Sequence, residues 1–356
     1  MKPNIAIVIL NWRGADNTIQ CVESLRKISY PSYKIFVVDN GSGGREVKRL
    51  RKSLNDCVLI LNNSNLGFAG GVNVGIRKAL LDPQVKYILL LNNDTVVTPD
   101  FLTNMFQIAK EKKVDMVSPT IMSATNHNNV DRLGIVLSKA LLGYDMKKQE
   151  GTQPFCPSGC CALYSKKLLE DIEHSHGHLF DEDFFMYAED TDLGWRARLL
   201  GYKAALAEKA IIYHTGFASN ALASTDPQYL GHLNSVWYVI KNASLKQLWH
   251  LGGWWIAGQT TEVIAVALRE MPASVLKAKW DALLGLPPML RKRKIIQANR
   301  RVTAQQIRQA IDSRPFYIHP PRLSPLGFLW RLADFIVKSV MSLSKRLILT
   351  YKRNTK

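Results

Sequence analysis

The residues best suited to chemistry in this 356-residue sequence are acidic side chains that follow apolar runs. The segment Asn92-Asn93-Asp94 comes directly after an apolar run that ends at Leu91. Hard divalent cations prefer oxygen ligands, and Mg²⁺ usually takes one or two protein carboxylates together with phosphate oxygens. Asp94 is therefore a candidate ligand for a metal ion that bridges a diphosphate. The alternative is ordinary turn chemistry, because Asn and Asp also stabilise turns.

A second acidic group occupies residues 181–192, where six carboxylates are interleaved with aromatic side chains. Crowded carboxylates raise one another's pKa, which suits a general base. Glu189 and Asp190 open a predicted helix, whose dipole favours negative charge there. The alternative is helix capping and a solvated acidic face, which remains open for residues 181–183. For Asp190 we favour a catalytic role facing a sugar, and we expect Trp195, about one turn later, to bind the acceptor.

The glycine-rich segment 63–75 is a candidate ligand-binding loop. Glycines at Gly67, Gly70, Gly71 and Gly75 allow a loop and a helix start to approach a ligand closely. The segment lacks the lysine of a P-loop and does not match G-x-G-x-x-G, which disfavours nicotinamide and ATP-binding folds. The alternative is close packing of a helix on a sheet, which explains Gly75 better than the Gly70–Gly71 pair.

Histidine and cysteine side chains offer further candidate ligands. His214 directly follows a predicted strand, where a neutral imidazole could complete a metal site with Asp94. The alternative is a structural role, since seven other histidines are present. The five cysteines lack zinc-site spacing and disulfide density, even at Cys156, Cys160 and Cys161. We expect buried thiols in a reducing cytosol rather than a redox or metal site.

The elements that position these residues alternate along the first half of the chain. Buried apolar runs at 5–10, 34–38, 58–61 and 87–91 alternate with amphipathic segments at 16–28, 45–54 and 68–81. This pattern predicts an α/β fold with a mostly parallel sheet and helices on both faces. Ligands of such sheets bind at the carboxyl ends of the strands, so Asn11, Asp39 and residues 92–94 should converge on one crevice.

The second half is less regular. We predict a helix at 100–112, strands at 116–119, 155–165 and 210–213, a helix at 189–200, and irregular structure over 123–155. The short apolar run at 5–10 is expected to be a strand rather than a signal peptide. The sequence contains no uninterrupted apolar run of about 18 residues, so we do not expect a simple membrane span.

Charge divides the chain into two regions, which we predict to be domains. Residues 1–238 hold 26 Lys and Arg against 24 Asp and Glu, whereas residues 239–356 hold 21 against 5. The whole formal charge of +18 is thus +2 before the boundary and +16 after it. A local basic excess indicates a polyanionic partner, either a membrane surface or nucleic acid. Residues 326–351 have the pattern of a basic amphipathic helix lying in a membrane interface.

Six segments, in this order, resemble family 2 glycosyltransferases of the GT-A fold, and most of all the bacterial rhamnosyltransferases and galactofuranosyltransferases. The segments are 9–12, 37–42, 65–75, 91–95, 158–162 and 188–196. The resemblance extends over about residues 3–217 and implies a Rossmann-like catalytic domain, here 1–238. It also implies an inverting enzyme that uses a nucleotide-sugar donor and a divalent metal, Mg²⁺ or Mn²⁺. Such enzymes build cell-surface polysaccharide on the cytoplasmic face of the membrane.

The resemblance also implies roles for individual residues. Asp39 matches the acid that contacts the donor's base or ribose, and Asp94 matches the last Asp of the D-x-D metal motif. Asp190, beside Glu189, matches the catalytic base, and His214 matches a late metal-binding histidine. The predicted donor-binding residues are Asn11, Asp39, Asn65, Gly67, Gly70, Gly71, Asn73, Asn92 and Asn93. Because Asn92 replaces the first acid of D-x-D, metal affinity should depend on Asp94, His214 and the diphosphate.

The sequence therefore predicts an inverting hexosyltransferase in cell wall or surface polysaccharide synthesis. The first candidate donor is dTDP-rhamnose, followed by UDP-galactofuranose, and the expected acceptor is a hydroxyl of a lipid-linked saccharide. We expect residues 239–356 to form a basic helical region that binds an anionic membrane surface peripherally, on the cytoplasmic face of the bacterial inner membrane. We expect no binding to nucleic acid.

Two other classes of function remain as alternatives. A nucleotidyltransferase should have a basic, glycine-rich phosphate loop after the first strand, but here residues 11–14 are followed by Ala15-Asp16. A nucleic-acid-binding protein would explain the basic region. Against it, the basic residues alternate with bulky apolar ones and no known nucleic-acid-binding motif is present.

Overall fold

A nine-stranded mixed sheet forms the centre of the computed structural model, which describes residues 3–148, 153–216, 226–267 and 272–314. The strands are β1 (Asn4–Asn11), β2 (Tyr33–Asp39), β3 (Val58–Leu61), β4 (Val85–Asn92), β5 (Thr95–Val97), β6 (Met116–Ser123), β7 (Val130–Arg132), β8 (Ile135–Leu137), β9 (Gly143–Asp145), β10 (Cys161–Ser165) and β11 (Ala204–His214). Strands β8 and β9 form a separate two-stranded sheet.

The strand order is β3-β2-β1-β4-β10-β6-β11-β5, with β7 paired to β6. The first four strands are parallel, and β10 inserts antiparallel between β4 and β6. Strand β11 runs parallel to β6 and antiparallel to β5. This arrangement confirms the predicted GT-A fold with its mostly parallel sheet. Strands β1, β2 and β4 are mostly buried on both faces, as is typical of parallel sheets covered by helices.

Helices cover both faces of the sheet. They are α1 (Ala15–Leu25), α2 (Gly44–Ser53), α3 (Gly67–Leu80), α4 (Phe101–Lys112), α5 (Lys166–His176), α6 (Glu189–Leu199), α7 (Pro227–Asn242), α8 (Leu245–Ala267), α9 (Pro272–Leu284), α10 (Leu286–Ala298) and α11 (Ala304–Ala310). Alternate residues of β1 enter different cores: Ile7 packs with Val22 of α1, and Val8 packs with Ile76 of α3. Successive strand side chains point to opposite faces, so a continuous apolar run serves both layers.

Two parts of the second half differ from the sequence-based prediction. Of the strand expected over 155–165, only β10 forms, because Pro157 cannot donate to a strand ladder and residues 158–161 form a turn closed by Cys161 N donating to the Ser158 carbonyl. The stretch 123–155, expected to be irregular, contains β7, β8 and β9. Helix α5 was not predicted; it begins where the Ser165 side chain accepts a hydrogen bond from Leu168 N at 3.2 Å.

The helices after residue 226 pack against the α/β part of the chain, residues 3–216. The predicted domain boundary at 238/239 falls inside α7, which contacts α6, α9 and α10. Among the described residues, no helix has both the length and the apolarity that crossing a bilayer requires. The amphipathic helix predicted at 326–351 lies outside the described residues.

Candidate active site

A cleft of about 600 Å³ opens at the carboxyl ends of the strands, where the sequence predicted it. Its size is in the range of small-molecule sites. The predicted site residues that line it are Asn65, Gly67, Asn92, Asn93, Asp94, Glu189, Asp190 and His214. The sheet therefore brings together segments that are far apart in the chain, from the ends of β4 and β11 and the starts of α3 and α6.

The predicted metal pair is adjacent because of strand register. Strand β11 pairs with β5 so that His214 lies opposite Thr95, the residue after Asp94. As a result His214 Nε2 lies 3.4 Å from Asp94 Oδ1, and both residues are 8% exposed. Metal–ligand bonds of about 2.0–2.2 Å place neighbouring ligands of one ion roughly 3 Å apart. The pair therefore fits a divalent cation, as an oxygen and a nitrogen ligand at the cleft surface.

A third side chain orients the imidazole. Asp131, from β7, lies 3.0 Å from His214 Nδ1 and also pairs with Arg132 at 3.1 Å. Burial alone would lower the pKa of His214, but Cys160, Asp131 and Asp94 outweigh it and raise that pKa to about 12, so a divalent cation would have to displace the proton on Nε2. A carboxylate on Nδ1 fixes the ring and leaves Nε2 toward the cleft, as the outer partners of metal-binding histidines do.

The cleft wall is rich in carboxyl groups. The acidic residues that line it are Asp94, Asp145, Glu189, Asp190 and Glu262. Among the described lining residues, Arg132 is the one lysine or arginine, and it already pairs with Asp131 and with Asp145, at 3.5 Å. A diphosphate entering this cleft would meet like charge, so a bound cation would be needed to hold it.

Glu189 and Asp190 stand at the first turn of α6, after a strained stretch of backbone. Phe185, Tyr187 and Ala188 all have positive φ, between 59° and 70°, which is uncommon for residues with a side chain. Asp190 accepts hydrogen bonds from Gly159 N at 2.8 Å and from Thr191 N at 2.6 Å. The strained turn and these two amides fix the Asp190 carboxylate at the cleft wall.

The two carboxyl groups have different environments, which separates their roles. Burial, together with neighbouring Asp190, raises the pKa of Glu189 well above its usual range. Glu189 Oε2 has no hydrogen-bond partner among the described residues. Burial also raises the pKa of Asp190, but the two backbone amides favour its charged form. Glu189 therefore holds a proton more readily, and Asp190 is the group available to accept one.

Other predicted donor-binding residues support the cleft from behind. Asn11 and Asp39 are buried; Asn11 Nδ2 donates to Asp39 Oδ1 at 2.7 Å, and Ser42 N donates to Asp39 Oδ2 at 3.1 Å. Neither lines the cleft, whereas the neighbouring Asn40 does. A nucleotide contact for Asp39 remains a prediction.

The glycine-rich segment has a mainly packing role, so the prediction that Gly70 and Gly71 bind the donor needs correction. Gly67 lines the cleft with φ of 71°, and a Cβ there would lie 2.5 Å from the Phe185 carbonyl oxygen. Gly70 and Gly71 lie inside α3, where a Cβ at Gly71 would meet Leu10 at 2.5 Å. Neither glycine lines the cleft: Gly71 allows α3 to approach β1, whereas a Cβ on Gly70 would lie 2.9 Å from Leu66 at the start of the same helix.

Asn73 and Trp195 do not reach the cleft either. Asn73 is fully buried and donates to the Phe180 carbonyl at 2.8 Å. Trp195 is also fully buried, with its ring 6.0 Å from that of Phe155. Five residues after Asp190 correspond to about 500° of helix, so the two side chains point to different faces. The prediction that Trp195 binds the acceptor is wrong, since its side chain belongs to the core.

Sequence reasoning missed several residues of the cleft. Arg132 and Asp145 line the cleft and Asp131 lies behind His214; all three come from the stretch expected to be irregular, where no apolar periodicity pointed to strands. A further wall comes from α7 and α8, from residues beyond the range of the resemblance. The adjacent Asp131 and Arg132, next to short apolar runs, are the one sequence signal that could have indicated polar site residues here, and this signal is weak.

A second acidic cluster has the composition of a metal site but is filled by lysine. His178, Asp181 and Asp192 lie close together beneath α6. Lys241 Nζ of α7 lies 2.5 Å from Asp181 and 2.8 Å from Asp192, and it is fully buried. The ammonium group already neutralises these carboxylates, so this cluster is an ion pair that joins α7 to the α/β part of the chain.

Comparison with known proteins finds similarity to glycosyltransferases. The model of the family described as glycosyl transferase family 2 matches residues 5–173. The chain is 26% identical over 205 residues to the low-salt glycan biosynthesis hexosyltransferase Agl10 of Haloferax volcanii, covering 56% of this chain and 62% of that protein. It is 24% identical over 205 residues to glycosyltransferase GlyG of Streptococcus pneumoniae, covering 52% and 65%. The chain thus matches less than two thirds of either relative.

Solved structures show a similar fold. TarS residues 1–349 from S. aureus align with a TM-score of 0.53 and 16% identity, over 87% of this chain and 93% of that one. GalNAc-T7, solved with UDP, GalNAc and Mn²⁺, aligns with a TM-score of 0.56 and 13% identity, over 73% and 51%. At these identities the likeness concerns the fold.

Proposed function

We propose that this chain, whose residues 5–173 match the model of glycosyl transferase family 2, moves a sugar from a nucleotide-diphosphate donor to an acceptor hydroxyl, with inversion. The observation that most supports this proposal is the composition of one cleft. It combines the Asp94–His214 pair with a carboxylate, Asp190, that two backbone amides hold in place. The fold and the family favour sugar transfer over the nucleotidyltransferase alternative.

We propose that Asp94 and His214 hold a divalent cation, Mg²⁺ or Mn²⁺, which when bound neutralises the leaving diphosphate. GalNAc-T7, a structural neighbour, was solved with Mn²⁺ and UDP. Asp94 offers a carboxylate oxygen and His214 offers Nε2, while Asp131 retains the Nδ1 side of the ring. The acidic lining of the cleft supports a need for a cation, because Arg132, the one arginine among the described lining residues, is already paired with Asp131 and Asp145.

The acceptor hydroxyl loses its proton as it attacks the anomeric carbon, and Asp190 is the group placed to take it. Its oxygens accept from Gly159 N and Thr191 N, so the carboxylate cannot rotate away from the cleft. Glu189, buried beside it, holds its own proton and so does not compete for the acceptor's. The buried position of the pair also limits access of bulk water to the reacting groups.

A donor panel tests the proposed function. The protein is incubated with dTDP-rhamnose, UDP-galactofuranose and other UDP- and GDP-sugars, with Mn²⁺, Mg²⁺ or a chelator, and nucleoside diphosphate release is measured. We expect release from at least one donor, dTDP-rhamnose being the first candidate, and loss of release in the chelator. Failure to release nucleoside diphosphate from every donor would contradict the proposal.

The pH dependence of transfer should report the Asp190 pKa. Burial raises that pKa above the usual value for aspartate. A general base must be deprotonated, so activity should be present above the raised pKa and fall as pH decreases through it. We expect the acid limb of kcat/KM to lie above pH 4. An acid limb at or below the ordinary aspartate value would contradict the role of a buried base.

We further propose that the acceptor is lipid-linked and that the protein binds the cytoplasmic face of an anionic membrane peripherally, as the charge division suggests. Helix α8 exposes Leu245, Trp249 and Ile256, which the 3.6-residue repeat places on one stripe. Helix α9 contacts α8 and exposes a second stripe, formed by Leu276, Trp280, Leu283 and Leu284. Exposed apolar stripes with tryptophans next to basic residues are typical of membrane-interface helices.

Vesicle sedimentation tests the membrane proposal. The double variant Trp249→Ser/Trp280→Ser removes one large apolar side chain from each stripe; these residues are 76% and 64% exposed. We expect binding to phosphatidylglycerol vesicles to weaken by more than about ten-fold, since burying such a side chain contributes roughly 1.5–3 kcal/mol. Leu81→Ser is the matched control, because Leu81 is also 76% exposed but lies at the end of α3. Equal binding by the double variant, or stronger binding to DNA at the same salt, would contradict the proposal.

A further inference from the structure

The wall that α7 and α8 add to the cleft contains polar groups that the proposed reaction does not use. Gln228, His232 and Ser235 are spaced by four and three residues, so one face of α7 looks into the cleft. Glu262 of α8 joins them. Both helices follow the segment matched by the family model, so these side chains are features of this chain's own C-terminal region.

Glu262 is only partly neutralised. Its Oε2 lies 3.4 Å from His232 Nδ1 and 3.9 Å from Lys279 Nζ, and it accepts no hydrogen bond from the described part of the chain. Lys279 instead donates to the His232 carbonyl at 3.1 Å and to Gln259. The Glu262 side chain is 22% exposed, at the cleft wall. A carboxylate in this position lacks the donor that a buried charge requires.

Tyr144 is a second polar group without a partner. It lines the same cleft from β9, and its hydroxyl is buried with no hydrogen bond to any described residue. Burial raises the Tyr144 pKa, and nearby Glu262 raises it further, so the two groups lie within electrostatic reach of each other. The phenol is therefore neutral and can donate a hydrogen bond. A buried hydroxyl without a hydrogen-bond partner is destabilising, because the free energy of its hydration is not replaced.

We propose that Glu262, Tyr144 and His232 form the acceptor subsite and that they bind the hydroxyl groups of a neutral saccharide. This inference rests on the proposed function, which requires an acceptor hydroxyl near Asp190. A Cβ on Gly143, the residue before Tyr144, would lie 3.1 Å from Thr191, the residue after Asp190. Tyr144, Asp190 and Glu262 line the same cleft, so the subsite borders the catalytic carboxylate.

The chemistry of the wall selects this class of ligand. A sugar hydroxyl both donates and accepts, so it can donate to Glu262 and accept from Tyr144, satisfying both groups. An anionic ligand such as a phosphate would meet Glu262 and the other cleft carboxylates. A cationic ligand would compete with Lys279 and His232, which already surround Glu262. An apolar chain would leave the polar atoms unsatisfied, whereas it suits the exposed stripe on the same helix α8.

The test uses full-length protein with Mn²⁺ and UDP and, as probes, octyl glycosides of rhamnose, galactose, glucose and N-acetylglucosamine. Binding is measured by saturation-transfer NMR and titration in the wild type, Glu262→Gln and Tyr144→Phe. Glu208→Gln, on an exposed position of β11, and Tyr229→Phe, on α7 outside the cleft, are matched controls. Thermal unfolding and the affinity for UDP with Mn²⁺ are measured on the same samples, to show that each variant is folded.

We expect at least one glycoside to bind the wild type and both controls, and its affinity to fall at least about ten-fold in Glu262→Gln and Tyr144→Phe. Unchanged affinity in these two variants would overturn the subsite. So would the absence of glycoside binding by wild-type protein that binds UDP with Mn²⁺. If no nucleoside diphosphate binds at all, it is instead the proposed function that fails.

Discussion

Replacing Asp190 by asparagine is expected to lower kcat by about 10²–10⁴-fold, the usual contribution of a general base. The amide keeps the size of the side chain but cannot accept the acceptor's proton. Because Asn92–Asp94 and His214 lie on other elements, the affinity for nucleoside diphosphate with metal should change little. The measurement is steady-state transfer by Asp190→Asn, with donor affinity determined in parallel by calorimetry.

The matched control is Asp183→Asn, from the same acidic segment. Asp183 is exposed and pairs with Lys292 at 2.7 Å, away from the cleft lining. This variant should retain nearly normal turnover. Near-normal turnover in Asp190→Asn would contradict its role as the base. Equal losses in both variants would show that the acidic segment acts through its overall charge and not through one base.

Replacing Lys241 by methionine is expected to destabilise the fold by about 3–5 kcal/mol, the typical cost of removing one partner of a buried ion pair. Lys241 is fully buried, and its ammonium group neutralises Asp181 and Asp192. The methionine fits the apolar stem of lysine but removes one cation from each carboxylate, so that Asp192 keeps Arg196, at 2.8 Å, and Asp181 keeps Lys292, at 2.5 Å. Urea unfolding measures the change, as a lower midpoint at unchanged slope.

Lys246→Met is the matched control for this prediction. Lys246 is exposed at the start of α8, so its loss should change stability by no more than about 0.5 kcal/mol. A Lys241→Met protein as stable as the control would contradict the view that this ion pair fastens α7 beneath the catalytic helix α6.

The sheet and the strand-end residues could be predicted because their signals are local. The apolar runs of β1, β2 and β4 are mostly buried on both faces, and β3 at the sheet edge is half-buried. Each run is followed by a polar residue, so type, order and active edge follow from the sequence. Asp94 and Asn92 reach the cleft for this reason. His214 joins them because β11 ends where its run of buried residues ends, which the sequence also indicated.

The failures concern contacts that depend on how distant elements pack. Trp195 was placed by its distance along the chain from Asp190, but helical rotation turns it into the core. Gly70 and Gly71 resemble a ligand loop, yet the missing Cβ of Gly71 serves the approach of α3 to β1, and Gly70 packs against Leu66. No local pattern separates a glycine that faces a ligand from one that faces a strand.

The residues missed altogether come from short strands and from the C-terminal helices. Asp131 orients His214 across 83 positions of sequence, from a three-residue strand with no periodicity to detect. Glu262 faces the cleft from a helix whose apolar composition suggested only a membrane contact. Such residues become recognisable once the partner they face is known, and that partner is set by tertiary packing.

Titration of a nucleoside diphosphate into the protein with and without Mn²⁺, by calorimetry, tests the central claim most directly. The claim is that Asp94 and His214 hold the cation that binds the donor's diphosphate. Wild-type protein should bind in a Mn²⁺-dependent manner, and Asp94→Ala should lose more than about ten-fold in affinity, since even outer partners of metal ligands typically contribute 10–100-fold. Asp16→Ala, at an exposed position of α1, should bind like the wild type. Binding that is independent of Mn²⁺, or unchanged in Asp94→Ala, would contradict the account.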